Sequence, residues 1–413
     1  MIIKIVVLFF FSHLICANEL SFLIKQAIEK NPEILSAKKS VQSKKQKMKS
    51  MGWAFFPQPS IQLQNAFASK NNPNFTGDDL VFSVSLEQPI WDGGRRLADL
   101  NEAKVESEIA HIGLIKTQYE VSFNLLKQFK SWLSANLKMK AISKSLEAHD
   151  KLQERVKNRV KMGVSNQGDI ALVKGRIEAL KADLYHQQFL REAALAALVE
   201  TVQNPLSHTV LNLHNYEYLP EYNVIFEVDF NQVFAIHPNV TRTQLKTQLQ
   251  QQLVKKQKSR LWPEIYLKAE RQFGHFALED SAPMNSMIVG FKSHFGSGLS
   301  VVSDTRSEIA ALKSLQFHTD NEKNKLRQTL LSDHHHLIAL QARIKSTNES
   351  IALSNQVFES YTRQFLSGKK SWLDVMNSLR EQTSNYIKKA DLIAQYQTLF
   401  KKNHINIYGF TQL

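Results

Sequence analysis

Residues 80–104 read LVFSVSLEQPIWDGGRRLADLNEAK, and two kinds of sequence meet inside them. Leu80, Phe82, Val84 and Leu86 alternate with Val81, Ser83, Ser85 and Glu87. A period of two puts the apolar set on one face of a strand and the more polar set on the other. The alternation ends near Pro89. Asp92-Gly93-Gly94 then supplies a turn, with Asp92 as the cap of a helix. No proline follows until Pro205, and none occurs after Pro283, which leaves uninterrupted stretches of 115 residues (90–204) and 130 residues (284–413). Proline costs about 3 kcal/mol inside a helix, so both stretches permit very long helices.

Working outward, the same alternation occurs three more times. In 60–69, Ile61, Leu63 and Phe67 face away from Gln62, Gln64 and Ala66. In the second half, Ile265, Leu267, Ala269 and Phe273 alternate with Glu264, Tyr266, Lys268 and Glu270. Met287, Val289, Phe291 and Phe295 alternate with Ile288, Gly290, Lys292 and His294. The polar stretches 70–79 and 274–285 join these strands into two hairpins. A short helix and a second helix (33–56 and 239–260) precede each hairpin, and a long helix follows it. The first long helix runs to about Met162, roughly 100 Å at 1.5 Å per residue; its counterpart covers 299–366. Gly-containing turns at 163–168 and 367–371 lead into return helices. In the second of these, Trp372, Leu379, Tyr386, Ile393 and Phe400 recur every seven residues, a coiled-coil seam.

The chain is written twice. Asn31-Pro32 returns as His237-Pro238, Pro59-Ser60-Ile61 as Pro263-Glu264-Ile265, Gly94 as Gly298, and Gly163 with Asp169 as Gly368 with Asp374. These anchors keep one order and an offset near 205. The organisation expected is a signal peptide at 1–17, a first repeat at 18–202, a linker at 203–228 and a second repeat at 229–413. The fold class expected is mixed and mainly α. The opening MIIKIVVLFFFSHLICA carries a basic start, a short apolar core and a small-residue cleavage site, an export signal too short to span a bilayer. Cleavage after Ala17 removes Cys16, the sole cysteine; lipidation of that cysteine is the alternative.

Composition narrows the function. A chain of 413 residues with 43% hydrophobic and 22% charged residues is neither disordered nor a bundle of membrane helices. One cysteine excludes a disulfide framework and any CxxC site. His334, His335 and His336 are consecutive on a helix, where they point about 100° apart and cannot converge on a metal. No paired carboxylates, Gly-x-Ser-x-Gly elbow or P-loop is present, so an enzyme, and with it a cofactor, is not expected. The net charge of +14 and the runs Lys38-Lys39 and Lys44-Lys45-Gln46-Lys47 read as solvated helix faces. Nucleic acid is not an expected partner of an exported chain; contact with anionic lipid or an acidic partner is the other reading.

The amphipathic strands need something to cover their apolar faces, and no second apolar sheet exists in the sequence. Ten residues is the length of a tilted membrane strand, so lipid is the cover expected. In lipid a sheet must close on itself, and four strands cannot do so; membrane barrels have about eight or more. Oligomerisation follows, with Gln62, Gln64, Ser83, Ser85, Glu87, Lys268, Glu270 and Lys292 lining a polar lumen. The rival is a periplasmic adaptor or structural coiled-coil protein of the envelope, which would lack the paired hairpins.

The order helix, Asn31-Pro32-Glu33-Ile34, strand, hairpin, strand, LEQPIWDGGRRLADLNEAK resembles the TolC-like outer-membrane efflux proteins. Arg159-x-x-x-Gly163 to Asp169 and Phe365-x-x-Gly368 to Asp374 extend the resemblance over nearly the whole mature chain. It implies a homotrimer with a transmembrane β-barrel, four strands from each chain, continuous with a coiled-coil α-barrel that projects into the periplasm. The duct is passive and works with a periplasmic adaptor and an inner-membrane ABC-type or proton-driven pump, in efflux or type I secretion. The family's periplasmic entrance is closed by polar contacts near the turns. By resemblance, Asp169 and Lys370 match a closing charge pair, Phe365 stands where a Tyr is common, and Lys370 where an Arg is common. Asp374 matches the first of two lumen acids, and Asn377 takes the place of the second. The other reading of Asp169 and Asp374 is that they cap the return helices.

Overall fold

The computed structural model describes residues 13–67, 74, 76–204, 213, 216, 219, 228–278, 282–293 and 300–410. Most of the expected signal peptide (1–12), most of the linker (203–228), parts of both hairpin loops, and His294, Phe295 and Gly298 lie outside the described residues.

The element order is α1 (His13–Lys30), α2 (Pro32–Gly52), a 3₁₀ turn (Trp53–Phe55), β1 (Gln58–Asn65), β2 (Leu80–Trp91), α3 (Arg95–Lys161) and α4 (Gln167–Val202). The second half repeats it: α5 (Phe230–Ile236), α6 (Pro238–Ser259), β3 (Glu264–Phe273), β4 (Met284–Lys292), α7 (Val301–Leu366) and α8 (Trp372–Tyr408). The first helix starts at His13, inside the expected leader, rather than at Asn18. Pro32 and Pro238 each occupy the first helical position of their helix, where the missing N–H costs nothing. Strand β1 ends at Asn65, short of the expected Ser69, and β2 runs on to Trp91 through a bulge between Pro89 and Trp91.

Two compact units form, and each draws on both halves of the chain. The described residues of one lie within Met1–Leu35, Lys116–His237 and Lys325–Leu413; those of the other lie within Ser36–Ile115 and Pro238–Asn324. The sequence repeats are therefore not separate compact bodies.

The first unit is helical. Its packing includes two layers with distinct cores. Leu152, Val156, Val173, Ile177, Phe365, Val375 and Met376 bury one another where α3, α4, α7 and α8 approach their turns. Leu337, Leu340, Ile344, Leu392 and Tyr396 form another cluster on α7 and α8. The seven-residue seam of α8 lies in this packing, with Leu379 and Ile393 buried and Trp372, Tyr386 and Phe400 half-buried. Tyr119 is buried and donates to the Ile405 carbonyl at 3.2 Å; burial pushes its phenol up to about 12.

The second unit holds an antiparallel sheet in the order β1-β2-β3-β4. Two hairpins are joined by pairing of β2 with β3, so β1 and β4 are the edges. The start of α3 is tied to the end of α6. Asp92 accepts from the Gly94 and Arg96 backbone N–H groups at 3.2 and 3.0 Å, as a cap should. Gly93 has φ +64°, and a β-carbon there would stand 2.9 Å from the Ser259 carbonyl oxygen, so only glycine fits that turn. Lys256 bonds Asp99 at 2.7 Å and Glu102 at 3.0 Å, and Lys44 bonds Glu106 at 2.9 Å.

Candidate functional site

Two regions carry the residues singled out from the sequence. The first is the sheet. Directly opposed residues of antiparallel strands share a face. The register pairs Gln62 with Ser83, Ser60 with Ser85, Ser85 with Glu270, Glu87 with Lys268 and Glu264 with Lys292. Gln62, Gln64, Ser83, Ser85, Glu87, Lys268, Glu270 and Lys292 thus lie on one face. Ile61, Leu63, Val84, Leu86, Leu267, Met287, Val289 and Phe291 lie on the other.

Exposure runs opposite to that of a water-soluble sheet. Met287, Val289 and Phe291 are 74%, 76% and 78% exposed, whereas Ser83 and Ser85 are each 8% exposed. On the central strands β2 and β3 the polar face is the more crowded one and the apolar face the more open, while the edge strand β1 is exposed on both faces, Gln62 and Gln64 included. Charges on the polar face are paired: Lys268 with Glu270 at 3.0 Å, Lys292 with Glu87 at 3.8 Å and with Glu264 at 3.7 Å, and Arg95 with Glu264 at 3.3 Å. The Ser60 and Ser85 hydroxyls lie 2.7 Å apart across β1 and β2. Glu264, Arg95 and Tyr266, whose ring lies 5.1 Å from the Lys292 ammonium, belong to this polar face as well. The sequence reading placed Glu264 and Tyr266 on the polar side of the alternation without naming them as lining residues. Arg95, beyond the strand, carried no periodic signal.

The second region is the pair of helix turns in the helical unit. Both are built alike. Gly163 and Gly368 take φ +75° and +77°. The Val164 N–H reaches the Arg159 carbonyl at 2.9 Å and the Lys369 N–H the Gln364 carbonyl at 2.8 Å, closing each long helix with a Schellman motif. Each return helix then opens with a capping box. The Asp169 carboxylate accepts from the Asn166 N–H at 3.2 Å, and the Asp374 carboxylate accepts from the Ser371 N–H at 3.2 Å and its hydroxyl at 2.8 Å.

Asp169 and Asp374 therefore cap α4 and α8. Hydrogen bonding from Ser371, with the Lys370 ammonium nearby, holds the Asp374 carboxyl below the usual range. Lys370 stands 3.9 Å from Asp374 and 4.5 Å from the Tyr361 ring centre. No contact joins Lys370 to Asp169 within the chain among the described residues. Phe365 is 2% exposed and packs in the core of the turn region, where the Arg159 guanidinium covers its ring at 4.6 Å and donates to its carbonyl at 3.2 Å. Its phenyl ring has no hydroxyl to present to a neighbour. Asn377 is exposed and, with Asp374, borders a depression of about 690 Å³ that also takes in His149, Arg176 and Glu381. His149 itself is buried, its Nδ1–H donating to the Ser145 carbonyl at 2.8 Å, and burial lowers its pKa. Neither His149 nor Tyr361 carried a sequence signal; each emerges only from helix packing.

No helix among the described residues is long and apolar enough to cross a membrane, and no cluster of metal-ligating side chains occurs among them.

Residues 23–202 match the family model described as outer membrane efflux protein. Comparison with curated protein sequences gives no match. Among solved structures, the outer membrane protein VceC from Vibrio cholerae is similar with a TM-score of 0.78 at 15% identity, covering 94% of this chain and 96% of VceC. The Campylobacter jejuni CmeC outer membrane channel gives 0.78 at 12% identity, covering 95% of this chain and 86% of CmeC. The open state of the Neisseria gonorrhoeae MtrE outer membrane channel gives 0.71 at 14%, covering 92% and 88%. Residues 23–202 thus match the outer membrane efflux protein family, and the chain shares the fold of these outer-membrane channels along nearly its whole length.

Proposed function

We propose that three copies of this chain form a passive exit duct through the bacterial outer membrane, with the helices in the periplasm. The duct receives cargo from an inner-membrane pump of the ABC or proton-driven class through a periplasmic adaptor. One observation carries this reading: the sheet leaves its apolar face open, while its central strands β2 and β3 crowd the polar one. Only a solvent more apolar than water makes that arrangement favourable, because about 25 cal/mol per Å² would otherwise be lost on the exposed face. In lipid the free edges of β1 and β4 must pair, and pairing β4 of one copy with β1 of the next closes the sheet. Three copies give the twelve strands expected of the family. Gln62, Gln64, Ser83, Ser85, Glu87, Lys268, Glu270 and Lys292 then line the lumen.

The two repeats, 18–202 and 229–413, each supply one hairpin and one helix turn, so the entrance is built from two similar turns per copy. There Asp169, Lys370, Asp374 and Asn377 act as the polar residues of the entrance, with Phe365 as the packing anchor beneath them. The capping role and the entrance role are compatible, since one carboxylate oxygen suffices for the cap. The exposed Met162, Val164 and Leu366 at the turns offer the apolar contact for the adaptor.

The test uses detergent-extracted protein in cross-linking, heat-modifiable mobility and planar-bilayer current. The reading requires a trimer with discrete conductance steps, and Asp169→Ala should raise the single-channel conductance. A soluble monomer without current would return the chain to the adaptor class. Current that is unchanged in the variant would remove Asp169 from the entrance and leave it as a cap only.

A further inference from the structure

Both halves of the chain carry one tetrapeptide just before their first strand. Lys44-Lys45-Gln46-Lys47 lies in the C-terminal half of α2 and is followed by Trp53 and Pro57; Lys255-Lys256-Gln257-Lys258 lies in the last turn of α6 and is followed by Trp262 and Pro263. In each tetrapeptide one lysine is used internally, Lys44 on Glu106 and Lys256 on Asp99 and Glu102. The other four do not share that role, nor does Lys49, two residues past the first tetrapeptide. Lys45, Lys47, Lys49, Lys255 and Lys258 are exposed, and none of the five has an acidic partner among the described residues. Five unpaired ammonium groups therefore gather where the helices give way to the sheet.

The aromatic residues that follow are exposed too. Trp53 is 70% and Trp262 60% exposed, with Phe55, Phe56 and Trp91 open beside them. Trp91 pairs with Ile265, which pairs with Phe291, so it belongs to the apolar outer face of the sheet; Trp262 meets it edge-on at 5.8 Å. Indoles at the end of an apolar band mark the level where hydrocarbon meets headgroups. The headgroup layer is about 5–7 Å deep on each side of a bilayer. Lys47 lies six residues before Trp53 and Lys258 four before Trp262, or roughly 6–9 Å along a helix, within reach of a lysine side chain.

We infer that the two Lys-Lys-Gln-Lys turns and their tryptophans form a belt that binds anionic phospholipid headgroups of the leaflet on the helix side of the membrane. This rests on the outer-membrane channel reading and adds a preference for lipid charge. Zwitterionic lipid would seat the tryptophans equally well but would leave the ammonium groups without phosphate-borne net charge to neutralise.

The patch carries its own reporters. Full-length protein is reconstituted in bilayers containing brominated phosphatidylglycerol or brominated phosphatidylcholine, and tryptophan quenching is read along with channel current. The expected result is a preference for the anionic lipid of roughly fivefold or more at low salt, shrinking as salt screens the charges. The variant K45Q/K47Q/K49Q/K255Q/K258Q should lose that preference with its current intact, while the matching Lys→Arg variant keeps it. Equal quenching by both lipids in conducting wild-type protein overturns the belt and leaves the channel standing. So does a glutamine variant whose ion selectivity changes while its lipid preference persists, because the lysines would then face the lumen. Absence of both quenching and current would remove the channel reading, and the belt with it.

Discussion

Asp374 closes the capping box of α8, and its chemistry makes that cap sensitive to pH. Its carboxylate accepts from the Ser371 hydroxyl and backbone N–H, and these bonds favour the charged form, so the folded pKa lies below the ordinary 3.8. A carboxyl with a depressed folded pKa contributes stability that is fully present above the unfolded value and is lost as pH falls through the folded one. The cap of α8 should therefore hold throughout the neutral range and loosen only below about pH 4. Proteolytic nicking at residues 367–371, followed as a function of pH, reads this directly. In Asp374→Asn the acid-dependent loosening should vanish; if the variant and the wild type show the same pH profile, the carboxylate is not what holds the turn.

At the scale of elements, the helix turns depend on the seven-residue cluster beneath them more than on their caps. Phe365 is its largest side chain and is nearly inaccessible. Truncating a buried phenylalanine costs about 3–5 kcal/mol, against about 1 kcal/mol for a lost N-cap. Phe365→Ala should accordingly free the ends of α3, α4, α7 and α8 to separate locally, exposing Arg159, which loses its aromatic partner. Hydrogen exchange of the backbone amides around 156–177 and 358–379 should quicken while the sheet keeps its protection. Unchanged exchange there would mean that the turns are held by something other than this core. Phe365→Tyr is the informative companion, since it retains the ring and its contact with Arg159 but brings a hydroxyl into the buried cluster.

The whole molecule is governed by the inside-out sheet. Val289 lies mid-strand opposite Leu267, is 76% exposed, and belongs to the face assigned to lipid. A lysine at such a position costs about 2–4 kcal/mol near the bilayer midplane, and each copy in the assembly bears it. Val289→Lys should deplete the heat-modifiable oligomer in membranes. Gln62→Lys, on the opposite face, should assemble normally. Equal tolerance of both would mean that the two faces see the same solvent. A water-soluble protein would give the reverse order, because its apolar face would be the one buried.

Much of this was legible in the sequence because it rests on local rules. Period-two alternation marked all four strands, and the pairing of Gln62 with Ser83 follows once the first hairpin closes, whereas that of Glu87 with Lys268 requires the two hairpins to meet. Proline-free text gave the long helices, and the matched Gly163 and Gly368 gave their ends, since a left-handed residue is demanded there. Boundaries moved where no breaker marks them: β1 stops four residues early, and α1 begins at His13, within the stretch expected to be a leader. Tertiary structure alone decided what required distant residues to meet. Phe365 reads as an entrance residue by its place in a motif, yet it is core, because four helices converge on it. Gly93 reveals its full role only against the Ser259 carbonyl. The division into two units that each combine both halves is likewise invisible in a tandem repeat, because sequence periodicity records which elements exist and packing free energy decides which of them share a core.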